Sequence, residues 1–434
     1  MTPARGNGRD VPLEGLRGLA ALSVVAFHLL MAFQPDALPA GGAWWYGPFN
    51  GPAAVILFFV LSGYVLTRQA LVRGEARGLW RGVLKRYPRL AGPILLSVLL
   101  SWALLELGLM AHEAAGRLSG SDWLVNFTND PAIGTPEPSL PGALLQGGAF
   151  AMLRAAPGDA AYNSVLWTMR VELIGSFLAF GLGLALVALR GTPLLLRFAL
   201  LAATALAVRM VAGYYLTFII GVGLALLAAS RPLRVPGPVA AGMAAVALWM
   251  LGYVDGGADH ALLALLYGRP PPSIYVHAAA AALLILAIEG SAPLRAVLSG
   301  GWAAALGRLS FPIYLLHLPV LCSAGALAFV AEGGGLQGTL AAVVATLGVT
   351  LALAWPLARL DGWWTGRLNA LAAWLLPAPR PQPAPMRAPP AWPGVPEGGM
   401  GAGWVPEGGT GAGRVPEGRS AAWLAADSRP FARA

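Results

Sequence analysis

The stretch from Leu13 to Phe33 reads LEGLRGLAALSVVAFHLLMAF and decides the fold class of this chain. Its length matches the about 20 apolar residues that a helix needs to cross a bilayer. It is too long for the apolar part of a cleavable signal peptide, so it predicts a retained first membrane helix. The stretch also holds three ionisable side chains, Glu14, Arg17 and His28, which are unusual in such a helix.

Similar apolar stretches recur along the 434 residues, of which 57% are hydrophobic and only 11% are charged. Soluble domains average about 25% charged residues, so this chain does not have the surface of one. The sequence predicts an all-α, polytopic integral membrane protein with about ten transmembrane helices. The predicted spans cover residues 13–33, 52–67, 90–111, 165–188, 193–212, 214–230, 237–254, 275–290, 309–331 and 336–358.

Basic residues lie in alternate connections between these spans. They include Arg5 in the N-terminal segment, the cluster at residues 68–89, Arg190 and Arg295, whereas the other connections are poor in Lys and Arg. This alternation is typical of positive-inside topology, and it predicts a multi-pass plasma membrane protein with both termini in the cytoplasm. The same alternation accounts for the net charge of +9, so the expected partner is the lipid bilayer and not nucleic acid.

The composition divides the chain into four segments. Residues 1–12 form the predicted cytoplasmic N-terminus, residues 13–358 the membrane domain, and residues 359–376 a tryptophan-bearing segment expected at the interface. Residues 377–434 are rich in Pro and Gly and carry a ten-residue repeat that begins at Val395. Such a segment buries too little apolar area to offset the entropy of ordering, which predicts a disordered tail.

Arg17 and His28 lie on one face of the first helix. Eleven steps of about 100° bring them within about 20° of each other and about 16 Å apart along the axis. Ionisable side chains are costly inside a membrane, which makes both candidates for function. The alternatives are an interfacial anchor for Arg17 and an interhelical hydrogen bond for His28.

Five motifs together resemble the acyltransferase 3 family, membrane O-acyltransferases that modify sugars and other hydroxyl compounds. An arginine, ten residues and a histidine in the first helix are typical of that family, as with Arg17 and His28. The remaining motifs follow in the family's order and are FFVLSGY at 58–64, KRYPRL at 85–90, LWTMRVE at 166–172 and LGRLSFPIYLLHLP at 306–319. The sequence departs from the family at Tyr64, where Phe is usual, and at Arg170, where small or apolar residues are usual.

The resemblance implies an acyl-CoA donor, acetyl-CoA above all, and a hydroxyl acceptor such as a glycan or a lipid-linked sugar. The basic residues at the cytoplasmic mouth are candidates to hold the phosphates of coenzyme A, because charged donors bind phosphate strongly. These residues are Arg17, Lys85, Arg86 and Arg89. Membrane topology alone is the alternative explanation for the cluster in the second connection. No metal is expected, and Cys322 is the only cysteine.

His28 is then the expected catalytic base, with Arg17 and Glu172 as its catalytic partners. Glu172 lies about 10 Å below the outer surface in the fourth predicted span, at the depth of His28, which predicts that its carboxylate orients the imidazole. A structural pair with Arg170 is the alternative for Glu172. The resemblance implies substrate-binding positions at Trp167, His317 and Tyr64, although a structural hydrogen bond is an equal explanation for His317.

Two other functions stay open at this stage. Ten helices with buried charges would also suit a proton-coupled transporter, and a membrane scaffold that displays the tail is a third possibility. Transporters often carry internal repeats. Residues 190–360 do not repeat the charged motifs of residues 1–190, and a scaffold has no use for Arg17, His28 and Glu172 together. The sequence therefore favours the enzyme.

Overall fold

The computed structural model describes residues 10–39, 41–127, 137–154, 161–209, 213–255 and 258–377. These residues belong to the first of two units in the chain, residues 1–378. The second unit, residues 379–434, contains all but the first two residues of the predicted disordered tail, and it lies outside the described residues. The described residues form helices and no β-strand, which confirms the all-α prediction.

Seventeen α-helices occur in the described part of the chain. They are α1 Val11–Phe33, α2 Gly51–Arg73, α3 Arg77–Glu106, α4 His112–Ser119, α5 Asp122–Asn126, α6 Leu140–Leu145, α7 Ala151–Leu153, α8 Trp167–Ala188, α9 Leu194–Arg209, α10 Tyr214–Ser230, α11 Gly237–Leu251, α12 Ala261–Tyr267, α13 Ser273–Gly290, α14 Ala292–Val297, α15 Gly301–Val320, α16 Ala326–Ala331 and α17 Gly335–Leu375. A π-helical turn, Leu321–Gly325, joins α15 to α16.

Seven helical segments in the described residues are long and apolar enough to cross a membrane. They contain α1, α2, α3, α8, α13, α15 with α16, and α17. The remaining three predicted spans correspond to α9, α10 and α11, which have 16, 17 and 15 residues. A straight helix needs about 20 residues to cross the apolar core of a bilayer. The membrane protein is thus confirmed, whereas the count of ten spans is not.

Helix α3 begins 13 residues before its predicted start at residue 90, at Arg77. The cluster predicted to be a connection is therefore helical, although Pro88 and Pro93 lie within the helix. Contacts with α17 stabilise this part of α3. Arg81 donates to the Leu376 carbonyl, Lys85 donates to Asn369 and the Trp364 indole donates to the Pro88 carbonyl.

Helix α17 has 41 residues, which is about 60 Å of helix. It joins the predicted last span, residues 336–358, and the predicted interfacial segment, residues 359–376, into one element. Its second half lies along the first half of α3. Residues 359–376, which are too few to cross a membrane by themselves, therefore continue a helix that is long enough to cross it.

Helices α1 and α15 pack side by side and run in the same direction. Gly15 lies against Ala303 and Gly18 against Leu306, so that small residues let the two backbones approach closely. Because the helices are parallel, residues further along each one also meet. His28 lies ten residues beyond Gly18 and His317 eleven residues beyond Leu306, and this spacing brings the two histidines together.

Helices α2 and α10 pack antiparallel through two glycines. A Cβ atom on Gly63 would overlap the Phe218 carbonyl oxygen, and one on Gly221 would overlap the Val60 carbonyl oxygen. The contact holds α2, which carries part of the candidate site, against the rest of the bundle.

Substituting Gly221→Ala is expected to destabilise the fold, because the added methyl group meets backbone atoms that cannot move aside. We expect a cost of about 1–3 kcal/mol in the free energy of unfolding in detergent, measured by tryptophan fluorescence. Gly181→Ala is the matched control, since a Cβ atom on Gly181 meets nothing within 4 Å. Equal unfolding curves for the two variants would contradict this packing.

Candidate active site

His28 lies in the second half of α1 and is partly buried. Its Nδ1 atom lies 2.8 Å from the Val24 carbonyl oxygen of its own helix. The same Nδ1 lies 3.2 Å from Nε2 of His317, with the ring centroids 5.0 Å apart. The Trp123 ring, from α5, lies 5.4 Å from the His28 ring on another side. The imidazole is thus held between its own backbone, a second histidine and a tryptophan.

His317 lies in α15 and is fully buried. Its Nδ1 atom lies 2.7 Å from the Tyr314 carbonyl oxygen and 3.2 Å from that of Ile313. The π-helical turn begins four residues later, and such turns are frequent at functional sites. The structure therefore brings together two histidines that the sequence placed in separate roles.

Pro319 follows His317 and has no backbone N–H. In a regular helix residue 319 would donate to the Leu315 carbonyl, so this acceptor is left over. The Asn163 side chain donates to it at 2.8 Å. Asn163 is fully buried and precedes α8, and no motif identified it in the sequence. It stabilises the backbone beside His317 from a different part of the chain.

Glu172 does not contact His28, so the prediction that it orients the base is wrong. Its carboxylate pairs with Arg86 and accepts a hydrogen bond from the Ser62 hydroxyl at 2.7 Å. The Nε of Arg86 donates to the Ser176 hydroxyl at 2.7 Å. Helix α8 packs against α2, α3 and α10, so its carboxylate meets the basic cluster of α3. The predicted alternative partner, Arg170, is not its partner either.

A cavity of 960 Å³ opens at the end of the bundle where α1 begins and α2 ends, which we call the basic end. Basic side chains outnumber acidic ones in its wall. The basic ones are Arg17, Arg68, Arg73, Lys85, Arg86, Arg89, Arg308 and Arg359, and the acidic ones are Asp10, Glu14, Glu172 and Asp361. The cavity thus contains all four residues predicted to bind phosphate, together with Tyr64 and Glu172.

Some of these cations form ion pairs and others do not, although the charges of Glu172, Glu14 and Asp361 act on Arg17. Arg86 pairs with Glu172 and Arg68 with Asp10, but Arg17, Arg89 and Arg308 form no ion pair among the described residues. A cavity with unpaired guanidinium groups favours a polyanion, and guanidinium groups bind phosphate oxygens in particular. Arg308 was noted in the sequence only as part of a motif, and its place in the cavity was not predicted.

Tyr64 belongs to an ionic network at the basic end. Its hydroxyl donates to Glu289 at 2.9 Å, and Glu289 also pairs with Arg68 and Arg295. Asp10 pairs with the same two arginines. Burial acts to lower the pKa of Arg295, but the carboxylates of Asp10 and Glu289 outweigh it and raise that pKa above its usual value. The network joins the starts of α1 and α14 to the ends of α2 and α13.

Two aromatic rings in the wall of the cavity lie against each other. The Phe58 and Tyr314 ring centroids are 6.0 Å apart, and both residues line the cavity. The Tyr314 hydroxyl lies 2.7 Å from Thr168 Oγ1 and donates to the Val165 carbonyl at 3.0 Å. On its other side, the Tyr314 ring lies 5.9 Å from the His317 ring. One residue therefore separates the cavity from the two histidines.

Among the other predicted site residues, Trp167 does not line the cavity, and its ring does not pack against either histidine of the pair. Its ring packs against Tyr214 of α10, with the centroids 5.4 Å apart. Tyr314 and Asn369 were not predicted as site residues. Tyr314 lies three residues before His317 within a quoted motif, which is a usable signal, whereas Asn369 lies outside every motif.

These observations define a helical membrane protein with a basic cavity that leads towards a buried pair of histidines. A family model described as "Acyltransferase domain", of the acyltransferase 3 type, matches residues 11–359. The chain belongs to this family of membrane acyltransferases. No curated protein and no solved structure matches the chain.

The Arg86–Glu172 pair yields a stability prediction. Both side chains are about one-tenth exposed, so removing one charge leaves the other buried and unpaired. We expect Glu172→Gln to lower the free energy of unfolding by about 3–5 kcal/mol. The double variant Glu172→Gln with Arg86→Met should recover part of that loss. The free energies of unfolding in detergent are also measured for Arg86→Met alone. If the cost of the double variant equals the sum of the costs of the two single variants, the pairing described here is wrong.

Proposed function

We propose that the protein transfers an acyl group, acetyl above all, from acyl-CoA to a hydroxyl of a glycan, a lipid-linked sugar or a related envelope compound. His28 is the general base of this reaction. The observation that carries the proposal is the continuity of the basic cavity, Tyr314 and the histidine pair within a chain of the acyltransferase family. The basic end then faces the cytoplasm, where acyl-CoA is made available.

The charge of the cavity supports a donor that carries phosphates. Arg17, Arg89 and Arg308 have no paired carboxylate, and they would bind the phosphates of coenzyme A at the basic end. Lys85, whose amino group donates to Asn369 at 2.5 Å, adds to this field, whereas Glu172 balances the charge of Arg86. A volume of 960 Å³ also falls at the upper end of ordinary ligand pockets, in keeping with a large donor.

The route from the cavity to the base supports a thioester that extends inward. Arg17 and His28 lie on one face of α1 and about 16 Å apart along its axis, so that a long arm is needed to join them. Tyr314 lies between the cavity and the histidine pair, and the Phe58 ring packs against Tyr314. Their rings have to move apart before a thioester carbonyl meets His28. A bound donor would therefore change the environment of Tyr314.

In the proposed reaction His28 alone carries the proton from the acceptor to the leaving group. Nε2 of His28 removes the proton from the acceptor hydroxyl, and the oxygen attacks the thioester carbonyl. The carbon–sulfur bond breaks and the proton passes from the imidazolium to the departing thiolate. The products are the acyl ester of the acceptor and free coenzyme A. No other acid or base is required by this balance.

The acceptor is proposed to enter from the end opposite the cavity. His28 is partly exposed, and the Trp123 ring lies beside it. Helix α5 carries Trp123. Helices α4 and α5 are attached to the end of α1, because Ser119 donates to the Ala32 carbonyl and Ser121 to the Met31 carbonyl, both at 2.7 Å. A tryptophan with a polar edge and an apolar face is a suitable surface for a sugar ring.

The first prediction of this function concerns His28→Ala. Envelope glycans and secreted metabolites are compared by mass spectrometry in cells that express the wild-type chain or this variant. Acylated products are recognised by their mass increment, which is roughly 42 Da for acetyl. We expect their amount to fall by about 10²- to 10⁴-fold in the variant, because general-base catalysis contributes that much to the rate. The purified variant should still bind acetyl-CoA, because His28 does not line the cavity.

An equal amount of acylated product in cells that express the variant would reject His28 as the base. The absence of any increment in every fraction of wild-type cells would favour transport over acyl transfer.

The second prediction concerns Arg17→Gln. Loss of a charged hydrogen-bond donor to phosphate costs about 1.5–3 kcal/mol, so the Kd for acetyl-CoA should rise by about 10- to 100-fold. Binding is measured by calorimetry on the purified chain in nanodiscs. Arg117→Gln is the matched control, since Arg117 is exposed, lies on α4 and pairs with Glu113. Equal affinities for both variants would place the donor outside this cavity.

A further inference from the structure

The hydrogen on each imidazole of the histidine pair can be assigned from its neighbours. Nδ1 of His317 lies 2.7 Å from one carbonyl oxygen and 3.2 Å from another, those of Tyr314 and Ile313. A carbonyl oxygen only accepts hydrogen bonds, so this nitrogen carries the hydrogen. In a neutral imidazole the second nitrogen then has the lone pair. Nε2 of His317 is therefore an acceptor.

The same reasoning applies to His28. Its Nδ1 atom lies 2.8 Å from the Val24 carbonyl oxygen and 3.2 Å from the acceptor Nε2 of His317. Both neighbours accept, so Nδ1 carries a hydrogen that it shares between them. Nε2 of His28 is left with the lone pair, which is the form that a general base needs.

We propose that His317 is a positioning residue that holds the imidazole of His28 with Nδ1 protonated and Nε2 free to take a proton. This assignment rests on the proposed function of His28 as the base. It gives His317 the role that the sequence assigned to Glu172, whose carboxylate is engaged with Arg86. Pro319 lies two residues after His317 in α15, and the π-helical turn begins directly after that helix.

The arrangement accepts one proton and only at one atom. A proton on Nε2 of His28 leaves every hydrogen bond of the pair in place. A proton on Nε2 of His317 would instead face the Nδ1 hydrogen of His28, and the contact at 3.2 Å would become repulsive. The imidazolium of His28 is meanwhile stabilised by two acceptors on Nδ1, the Val24 carbonyl and His317.

Three substitutions of His317 separate positioning from a structural role. His317→Gln keeps an acceptor oxygen near the place of Nε2, His317→Asn keeps a donor near the place of Nδ1, and His317→Met keeps the volume without either. We expect kcat with acetyl-CoA to fall by about 10²-fold in the Asn and Met variants and by less than about 10-fold in the Gln variant. The KM for acetyl-CoA should stay within about twofold, because His317 does not line the cavity.

The rates are divided by the amount of folded protein from size-exclusion chromatography. His277→Gln is the control, since His277 is also buried in a membrane helix and contacts a carbonyl oxygen, that of Tyr253. Recovery of kcat by Asn and not by Gln would show that His317 only satisfies its own helix. Wild-type kcat in all three variants would also overturn the proposal.

A spectroscopic test needs neither activity nor a variant that folds poorly. The chain has five histidines, so protein with ¹⁵N-labelled histidine in nanodiscs gives a countable set of imidazole signals at neutral pH. We expect Nδ1–H tautomers for His28 and His317, and Nε2–H tautomers for His260 and His277, whose Nε2 atoms face carbonyl oxygens. Signals are assigned by single substitutions.

An Nε2–H tautomer at His28 in the wild-type protein would overturn the assignment. This result would leave the proposed function standing if His28→Ala still abolishes transfer. Conversely, an active His28→Ala protein would reject the proposed function whatever the tautomers are. The two failures are therefore distinguishable.

Discussion

The site depends on the parallel contact between α1 and α15. Glycines at positions 15 and 18 let the two helices approach closely, and the contact continues to the histidine pair. Without that approach, His28 and His317 would each be a lone polar side chain in an apolar bundle, and such groups are costly. Together, the Nδ1–H of His28 is shared between His317 and the Val24 carbonyl, and the Nδ1–H of His317 bonds to the Tyr314 carbonyl. Packing and chemistry thus follow from one interface.

The basic cavity shows a second constraint, the cost of unpaired charge. Arg86 is buried and has Glu172 and Ser176 as partners, so it serves as a fixed part of the wall. Arg89 and Arg308 are exposed at the basic end, and they have no such partners among the described residues. A phosphate-bearing ligand would supply the missing negative charge. The cavity therefore combines structural cations with cations available for binding, and the two kinds differ in burial.

Much of this was predictable from the sequence, because membrane helices and motifs are local patterns. The span of α1, the face shared by Arg17 and His28, and the basic cluster of the cavity all follow from spacing. The partner of His28 does not. Equal depth in a membrane gives a position along the axis only, and α8 presents Glu172 to α2 and α3 instead. The packing of α1 against α15 brings together His28 and His317, which are 289 positions apart in the sequence. Hydrophobic periodicity does not show which helices are neighbours.

Helix α3 and helix α17 differ from their predictions for a related reason. The run of cations before residue 90 indicates a connection when the sequence is read alone. In the fold, Arg81 and the Pro88 carbonyl find partners on α17, and the helix continues through them. The second half of α17 in turn supplies cavity residues that no motif identified, Asn369 among them. Long-range contacts, and not local propensity, set both boundaries.

The most direct measurement is a structure of the full chain in nanodiscs determined with coenzyme A bound. We predict density for the nucleotide in the basic cavity beside Arg17, Arg89 and Arg308. The thiol end should extend past a displaced Tyr314 towards Nε2 of His28. Coenzyme A bound elsewhere on the protein, or bound in the cavity with its thiol directed away from His28, would show that the basic cavity does not deliver the thioester to His28.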